Sequence, residues 1–327
     1  MDERPYLIHL ESPLDTPSTT EYLVRGWVVS KAPIRAVTTG RSSPRFLELA
    51  ERPDVRTAYP DYPHVAGFAG RASADSLRGD CLSLTCVIGE TDYESRHELN
   101  PKVLPPAALQ IRQVGSEWGR NFYLSGGIMF DQITAAFEEH GLPLANAARV
   151  LDFGCGCGRV LKHFDRFPHQ GEIWGCDIDP ESIAWNRTHL AGVARFDCNA
   201  SLPPMAFPDG FFDAIYSVSV FTHLPEDMQF RWLEELRRIL RPGGLLLASL
   251  HGARYWEVDP GVKQEVLERG FAYRRGEATK GLPDFYMCSF HSEAYVRRAW
   301  GKYFDFEELK PSHLYGAHDS AILRRPS

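Results

Sequence analysis

The chain has no apolar run approaching the roughly 18 residues that a membrane-crossing helix needs. Its opening, MDERPYLIHL, lacks the charged-then-apolar order of a secretory signal. It has no basic stripe either: 36 Lys and Arg stand against 43 Asp and Glu, a formal net charge of −7, which argues against a nucleic-acid-binding surface. The densest cationic stretch, Arg231 to Arg241, is interleaved with Leu233, Leu236 and Leu240 and reads as the solvated face of an amphipathic helix. Cysteines are few and odd in number, seven in all, so a reduced chain in the cytoplasm is expected. Cys155 and Cys157 have no second pair at finger spacing, so packing against a ligand is expected and no metal is implied. Two phosphate-binding signatures are also missing. The G-x-G-x-x-G spacing fails because Arg159 stands three places after Gly156, and no glycine run ends in Gly-Lys-Ser/Thr.

What the chain does have is VLDFGCGCGRV, Val150 to Val160. Val150 and Leu151 lead into an acid, Asp152, and then three alternating glycines, Gly154, Gly156 and Gly158. Val160, Leu161 and Phe164 resume at helical spacing, which predicts a tight strand-to-helix turn. Glycines there let backbone approach a flat, bulky ligand. Asp152 at the strand tip would repel phosphate and suit ammonium and sulfonium charges, which points to S-adenosylmethionine. A second apolar strand, in GEIWGCDIDP, ends in Asp177, about 25 residues on and close to the interval at which a βαβ unit places a ribose-binding acid. A carboxylate accepts two hydrogen bonds from a vicinal diol, and Ile178 can lie on one face of adenine. Asp179 and Pro180 read as the N-cap and first residue of a helix.

With LDFGCGCGR, GCDIDPESIAWN, FDCNASLPPMAFPDGFFDAIYSVSVFTHL and ELRRILRPGGLLLASL in order, Asp152 to Leu250 resembles a class I S-adenosylmethionine-dependent methyltransferase of the methyltransferase-11/25 group. The resemblance implies that Gly154, Gly156 and Gly158 line the methionine and ribose side, that Asp177 binds the ribose hydroxyls, and that Asn199 with Ala200 meets the adenine edge. Family members often carry Asp where Asn199 stands, and Asp197 competes for that role. The implied fold is α/β: a doubly wound, Rossmann-like, seven-stranded sheet. Phe212 to Val220 would be its fourth strand, Met228 to Leu240 a helix, Leu245 to Leu250 the fifth strand, and Ser292 to Trp300 the last large helix. Tyr303 to Leu309 and Ala317 to Arg324 would be a final antiparallel pair. Ligands in open α/β sheets bind beyond the strands' carboxyl ends, where Ser217, Ser219, His223 and His251 fall.

At 327 residues, 43% hydrophobic and 24% charged, the chain suits about two globular domains. Residues 1–92 show short β-like runs broken by Pro, Gly, Asp and Ser, which predicts a small all-β sandwich-like domain. Gly26-Trp27, Arg52-Pro53-Asp54-Val55 and Gly67-Phe68 resemble pieces of β-domains found beside bacterial glycan-assembly modules; a structural appendage is the alternative. Residues 93–116, with Pro101, Pro105 and Pro106, read as a linker, and 117–327 as the methyltransferase domain. Trp118 to His140 reads as one or two helices, which the family resemblance implies lie over the cofactor with Arg120, Tyr123, Ser125 and Gly126 as contacts to the methionine carboxylate or the substrate, while Gly126-Gly127 is expected to break the helix.

Aligning an acceptor with the sulfonium methyl and excluding water is most of the chemistry, and a base matters for a hydroxyl. Histidine suits that task. His223 and His251 are the candidates, each with bracing of its loop as the competing role, whereas His291 is expected at a surface helix start. The aromatic insertion at 255–290, with Tyr255, Trp256, Phe271, Tyr273, Phe285 and Tyr286, serves either as substrate lid or as packing. The expected reaction is O-methylation of a sugar, glycan or other small-molecule hydroxyl. N-methylation of an amine or amino-sugar, a non-catalytic S-adenosylmethionine-binding protein and, last, a dehydrogenase stay open. The oligomeric state is open too, a homodimer being one candidate.

Overall fold

The computed structural model describes residues 6–10, 21–40, 44–73, 77–78, 81–98, 104–115, 121–274 and 283–327. It divides into one unit of Met1–Leu104 with Gly119–Leu124 and a second of Pro105–Trp118 with Ser125–Ser327. No helix among the described residues is long and apolar enough to cross a membrane.

The first unit contains strands β1 (Tyr6–Leu10), β2 (Glu21–Ser30), β3 (Ile34–Thr39), β4 (Arg45–Phe46) and β5 (Glu48–Ala50), helix α1 (Pro53–Ala58), and strands β6 (His64–Ser73), β7 (Leu77–Arg78), β8 (Cys81–Ile88) and β9 (Thr91–Glu98). One antiparallel sheet runs β1-β2-β6-β5; the other runs β4-β3-β8-β7, with β9 also on β8. Side chains alternate across a strand, and β2 uses both faces. Val24 and Val28 meet Val37, Leu82, Leu84 and Cys86 of the other sheet, while Trp27 and Val29 pack on Val55 of α1. The sheets therefore sandwich one core. The unit extends past residue 92, because β9 pairs with β8 from Ile88↔Thr91 to Cys81↔Glu98. The two strands form a local hairpin across Gly89-Glu90, and the polar sequence of β9, TDYESRHE, is what reads as linker.

The second unit starts with α2 (Ala107–Val114) and takes in α3 (Asn121–Glu139) from Ser125 onward. Then follow β10 (Arg149–Phe153), β11 (Glu172–Asp177), α4 (Pro180–His189), β12 (Arg195–Cys198), β13 (Phe212–Ser217), α5 (Glu226–Ile239), β14 (Leu240–Leu250), α6 (Ala253–Trp256), α7 (Pro260–Arg269), β15 (Phe271–Arg274), β16 (Cys288–His291), α8 (Glu293–Ala299), β17 (Asp305–Leu314) and β18 (His318–Arg324). A seven-stranded sheet runs β12-β11-β10-β13-β14-β18-β17. β10 to β14 are parallel and β18 lies antiparallel between β14 and β17. Both faces are buried, as parallel strands require. Phe212, Ile215, Leu246 and Ala248 enter one core, and Ala214, Tyr216, Leu245 and Leu247 the other. The strand order reverses between β10 and β13, the switch point at which such sheets bind ligands.

Two local expectations differ. After the glycine turn the chain makes a short 3-10 helix, Leu161–Arg166, rather than an α-helix; Phe167 closes it with an N–H bond to the Phe164 carbonyl, just before Pro168. α3 also runs unbroken through Gly126-Gly127. Gly126 is small for another reason: a Cβ there would lie 1.9 Å from the Arg159 carbonyl oxygen.

Candidate functional site

The glycine turn is tied to the tip of the neighbouring strand. Gly154 and Cys155 both donate their N–H to the Cys176 carbonyl at 2.9 Å, and Gly156 donates to Asp177 Oδ2 at 2.7 Å. Gly154 and Gly156 have φ of 81° and 51°, a region L-residues rarely occupy. A Cβ at Gly154 would come within 2.1 Å of Val220 Cγ2, and one at Gly156 within 2.5 Å of the Gln113 amide. These two glycines line an open cavity. Gly158 does not; its bare Cα makes room for Leu190, whose Cδ1 would be 2.4 Å from a Cβ there.

Asp177, Ile178 and Asn199 lie on the same cavity wall. Asp177 is held on both oxygens, Oδ1 accepting from Asp179 N–H at 2.9 Å, and burial raises its pKa. Asn199 donates Nδ2 to the Ala200 carbonyl at 2.8 Å, which leaves its buried Oδ1 without a partner. Ala200 is exposed and Ser217 fully buried, and neither is among the cavity-lining residues. Nor is Asp152, which accepts from Tyr216 Oη at 3.0 Å. Burial pushes its carboxyl up to about 8, so the acidic wall is made by Asp177 and Asp179, not by the strand-tip acid.

α2 comes from the segment read as linker, and it closes one side of the cavity. Arg112 bridges Asp179 Oδ2 at 2.7 Å and Glu181 Oε2 at 2.8 Å. Gln113 Oε1 accepts from the Cys157 N–H at 3.2 Å and lies near its Sγ at 3.1 Å. Asp179 also caps α4, accepting from Glu181 N–H, as its position before Pro180 predicts.

Beyond β13 the wall is Ser219, Val220, Phe285 and Tyr286. Ser219 has a φ of 60° and is over-determined by contacts, as such strained residues must be. Its N–H donates to Ser249 Oγ at 2.7 Å, its carbonyl accepts from Tyr286 Oη at 3.3 Å, and its Oγ is 3.4 Å from His318 Nδ1. His223 stacks on Tyr286, ring centroids 4.1 Å apart. Its Nδ1 is 2.7 Å from the Met287 carbonyl, so Nδ1 carries the proton and Nε2 a lone pair. Burial pushes His223 down to about 4. The His251 ring lies 5.7 Å from His223 and 5.3 Å from His318; burial, then the neighbouring imidazoles, push it down to about 2. Both histidines thus sit behind the cavity wall, His223 directly behind Tyr286.

His318 is a member of this cluster that the sequence marked only as part of a strand; nothing local distinguishes it. His291 is no surface residue: it ends β16 fully in the core, with Nε2 3.0 Å from Gln229 Oε1. Within the insertion, Phe285 and Tyr286 face the cavity, whereas Trp256 and Phe271 are core. Arg120 lies outside the described residues, Tyr123 groups with the first unit, and Ser125 is buried.

A bare-backbone cradle, a diol-sized acidic grip and an unpartnered amide oxygen fit the nucleoside and amino-acid ends of S-adenosylmethionine. Residues 150–244 match the family model of a methyltransferase domain. The chain is 28% identical over 188 residues to cycloartenol-C-24-methyltransferase of Arabidopsis thaliana, covering 54% of this chain and 53% of that one. It is 33% identical over 125 residues to 2-methyl-6-phytyl-1,4-hydroquinone methyltransferase of Synechocystis, covering 36% and 37%. The alignments thus span about half or less of these relatives' lengths. A solved S-adenosylmethionine-dependent methyltransferase from Mesorhizobium loti superposes with a TM-score of 0.44 at 16% identity, over 60% of this chain and all of that one. Residues 150–244 are thus similar to methyltransferase domains, and the cofactor is S-adenosylmethionine.

Proposed function

We propose that the chain transfers a methyl group to the hydroxyl of a small acceptor. The observation that carries this reading is the cavity itself, which joins the Gly154–Gly156 turn and Asp177 at one end to Ser219 and Tyr286 at the other. Asp177 spends one lone pair on each of two backbone donors and keeps about two more for the ribose diol. Ile178 covers one adenine face, and the free Oδ1 of Asn199 accepts from the adenine edge. The bound cofactor supplies a methyl group made electrophilic by positive sulfur. The chain aligns the acceptor and keeps water out behind Phe285 and Tyr286. Nε2 of His223, which sits behind Tyr286 and not on the cavity wall, takes up the hydroxyl proton once Tyr286 moves aside; neutral at pH 7, it is available without prior deprotonation. The resemblance of Gly26-Trp27, Arg52-Pro53-Asp54-Val55 and Gly67-Phe68 to pieces of β-domains beside glycan-assembly modules is what favours a sugar among the acceptors in this reading.

A second reading is methylation at carbon, favoured by relatives named as sterol C-24 and hydroquinone methyltransferases. Labelled S-adenosylmethionine offered with sugars, phenols and prenylated quinols separates them, because the product's methyl resonance tells oxygen from carbon. With a hydroxyl acceptor, His223→Ala should lower kcat about 100-fold. An unchanged kcat in both His223→Ala and His251→Ala would favour a neutral amine acceptor and refute the base.

A further inference from the structure

Arg159 follows the glycine turn and has no task in the reaction described so far. It is 5% exposed, yet it lines the cavity beside Gly156 and Tyr286. Among the described residues no carboxylate lies within ion-pair distance of its guanidinium, and Nε has no hydrogen-bond partner. The groups that act on it electrostatically are Cys157, Asp152, Tyr315 and Tyr286. Burial pushes the Cys157 thiol up to about 12 and Asp152 up to about 8, and raises Tyr286, so burial favours the neutral form of all three. Arg159 itself, lowered by burial to about 10, stays charged. Its backbone is fixed by the close approach of Gly126.

A buried cation without an anion costs several kcal/mol. Arg112 is already spent on Asp179 and Glu181. The planar guanidinium of a residue that lines the cavity can match a carboxylate bidentately, and a single negative charge suits a cavity that also holds Asp177 better than a phosphate dianion would. We propose that Arg159 is a carboxylate receptor inside the cavity, serving either the amino-acid end of the methyl donor or an acid group on the acceptor. The assignment rests on the methyltransferase reading.

Calorimetry tests it without turnover. The probes are S-adenosylhomocysteine, 5′-methylthioadenosine, which has the same nucleoside but no carboxylate, and benzoate added to protein saturated with S-adenosylhomocysteine. If the donor is the source, the unchanged protein prefers S-adenosylhomocysteine by at least about tenfold, and Arg159→Met erases that preference while holding 5′-methylthioadenosine equally well. If the acceptor is the source, the nucleoside preference survives in Arg159→Met and benzoate binding is lost. Should Arg159→Met fold poorly, Arg159→Gln keeps hydrogen-bond donors, drops the charge and is measured identically. Equal affinities of variant and unchanged protein for all three probes overturn the receptor alone. Failure of the unchanged protein to bind either nucleoside is a different result, which removes the methyltransferase reading and this assignment with it.

Discussion

Asp177→Asn keeps the shape of the side chain and removes its charge, so it separates what this residue does for the fold from what it does for the ligand. Both oxygens serve backbone donors, Gly156 N–H at 2.7 Å and Asp179 N–H at 2.9 Å. Asparagine has one oxygen, so its NH₂ must face one of those N–H groups. An unpaired buried donor costs about 1–3 kcal/mol. Against that, the carboxylate is desolvated, which is the largest influence on its raised pKa, and the neutral amide escapes this penalty. The stability loss should therefore fall at the low end of the range, a fall in Tm of about 2–4 °C. Binding has no such offset. Hydrogen bonds to a charged group are worth about 1.5–3 kcal/mol, so Kd for S-adenosylhomocysteine should rise about ten- to hundredfold. Titration calorimetry and a thermal melt on the same preparations read both quantities. An affinity within about twofold of the unchanged protein, with the fold intact, would refute the ribose-grip assignment.

Acid should destabilise the protein. His223, His251, His291, His313 and His318 are held down at about 4, 2, 3, 4 and 4, chiefly by burial, below the unfolded value of about 6.5. The unfolded chain therefore takes up protons first, so stability is full above about pH 7 and is lost as pH falls through 6.5, by up to about 1.4 kcal/mol per histidine per unit. Asp152, Asp177 and Asp319, all raised by burial, work in the opposite direction but are outnumbered. Tm should drop between pH 7.5 and 5.5, and an unchanged or higher value at pH 5.5 would contradict the burial of the cluster. Gly126→Ala sets a Cβ 1.9 Å from the Arg159 carbonyl, where no flexible side chain can yield. It should cost about 1–3 kcal/mol as overpacking, read by denaturant midpoint, although alanine is the better helix former; a stabilised variant would show that α3 does not press on the turn.

The strand, acid and glycines of Val150 to Gly158 were legible because local sequence dictates them: β-formers end where glycine alone tolerates the backbone. Asp179 was equally legible, since a cap acts on its own helix. Legibility failed where partners lie far apart. Asp152 looks like a ligand acid in sequence, but Tyr216, 64 residues away, claims it. The apolar spacing of Val160, Leu161 and Phe164 fits a 3-10 turn as well as an α-helix, so spacing did not decide. α2 lay hidden among prolines, and its use of Arg112 and Gln113 depends on residues about 44 to 69 positions on. The histidine cluster is assembled from the residue after β14, from β18 and from the loop after β13. His291 was misplaced for a related reason. Its neighbour Ser292 is the helix cap, while His291 itself closes β16 beside Gln229.

The central claim is that the Gly154–Gly156 turn and Asp177 grip an S-adenosyl nucleoside rather than a dinucleotide. Titrating S-adenosylhomocysteine and NAD⁺ separately into the purified chain tests it most directly. Saturable binding of S-adenosylhomocysteine at one site per chain, with no heat from NAD⁺, is the predicted result, and the reverse pattern would contradict it.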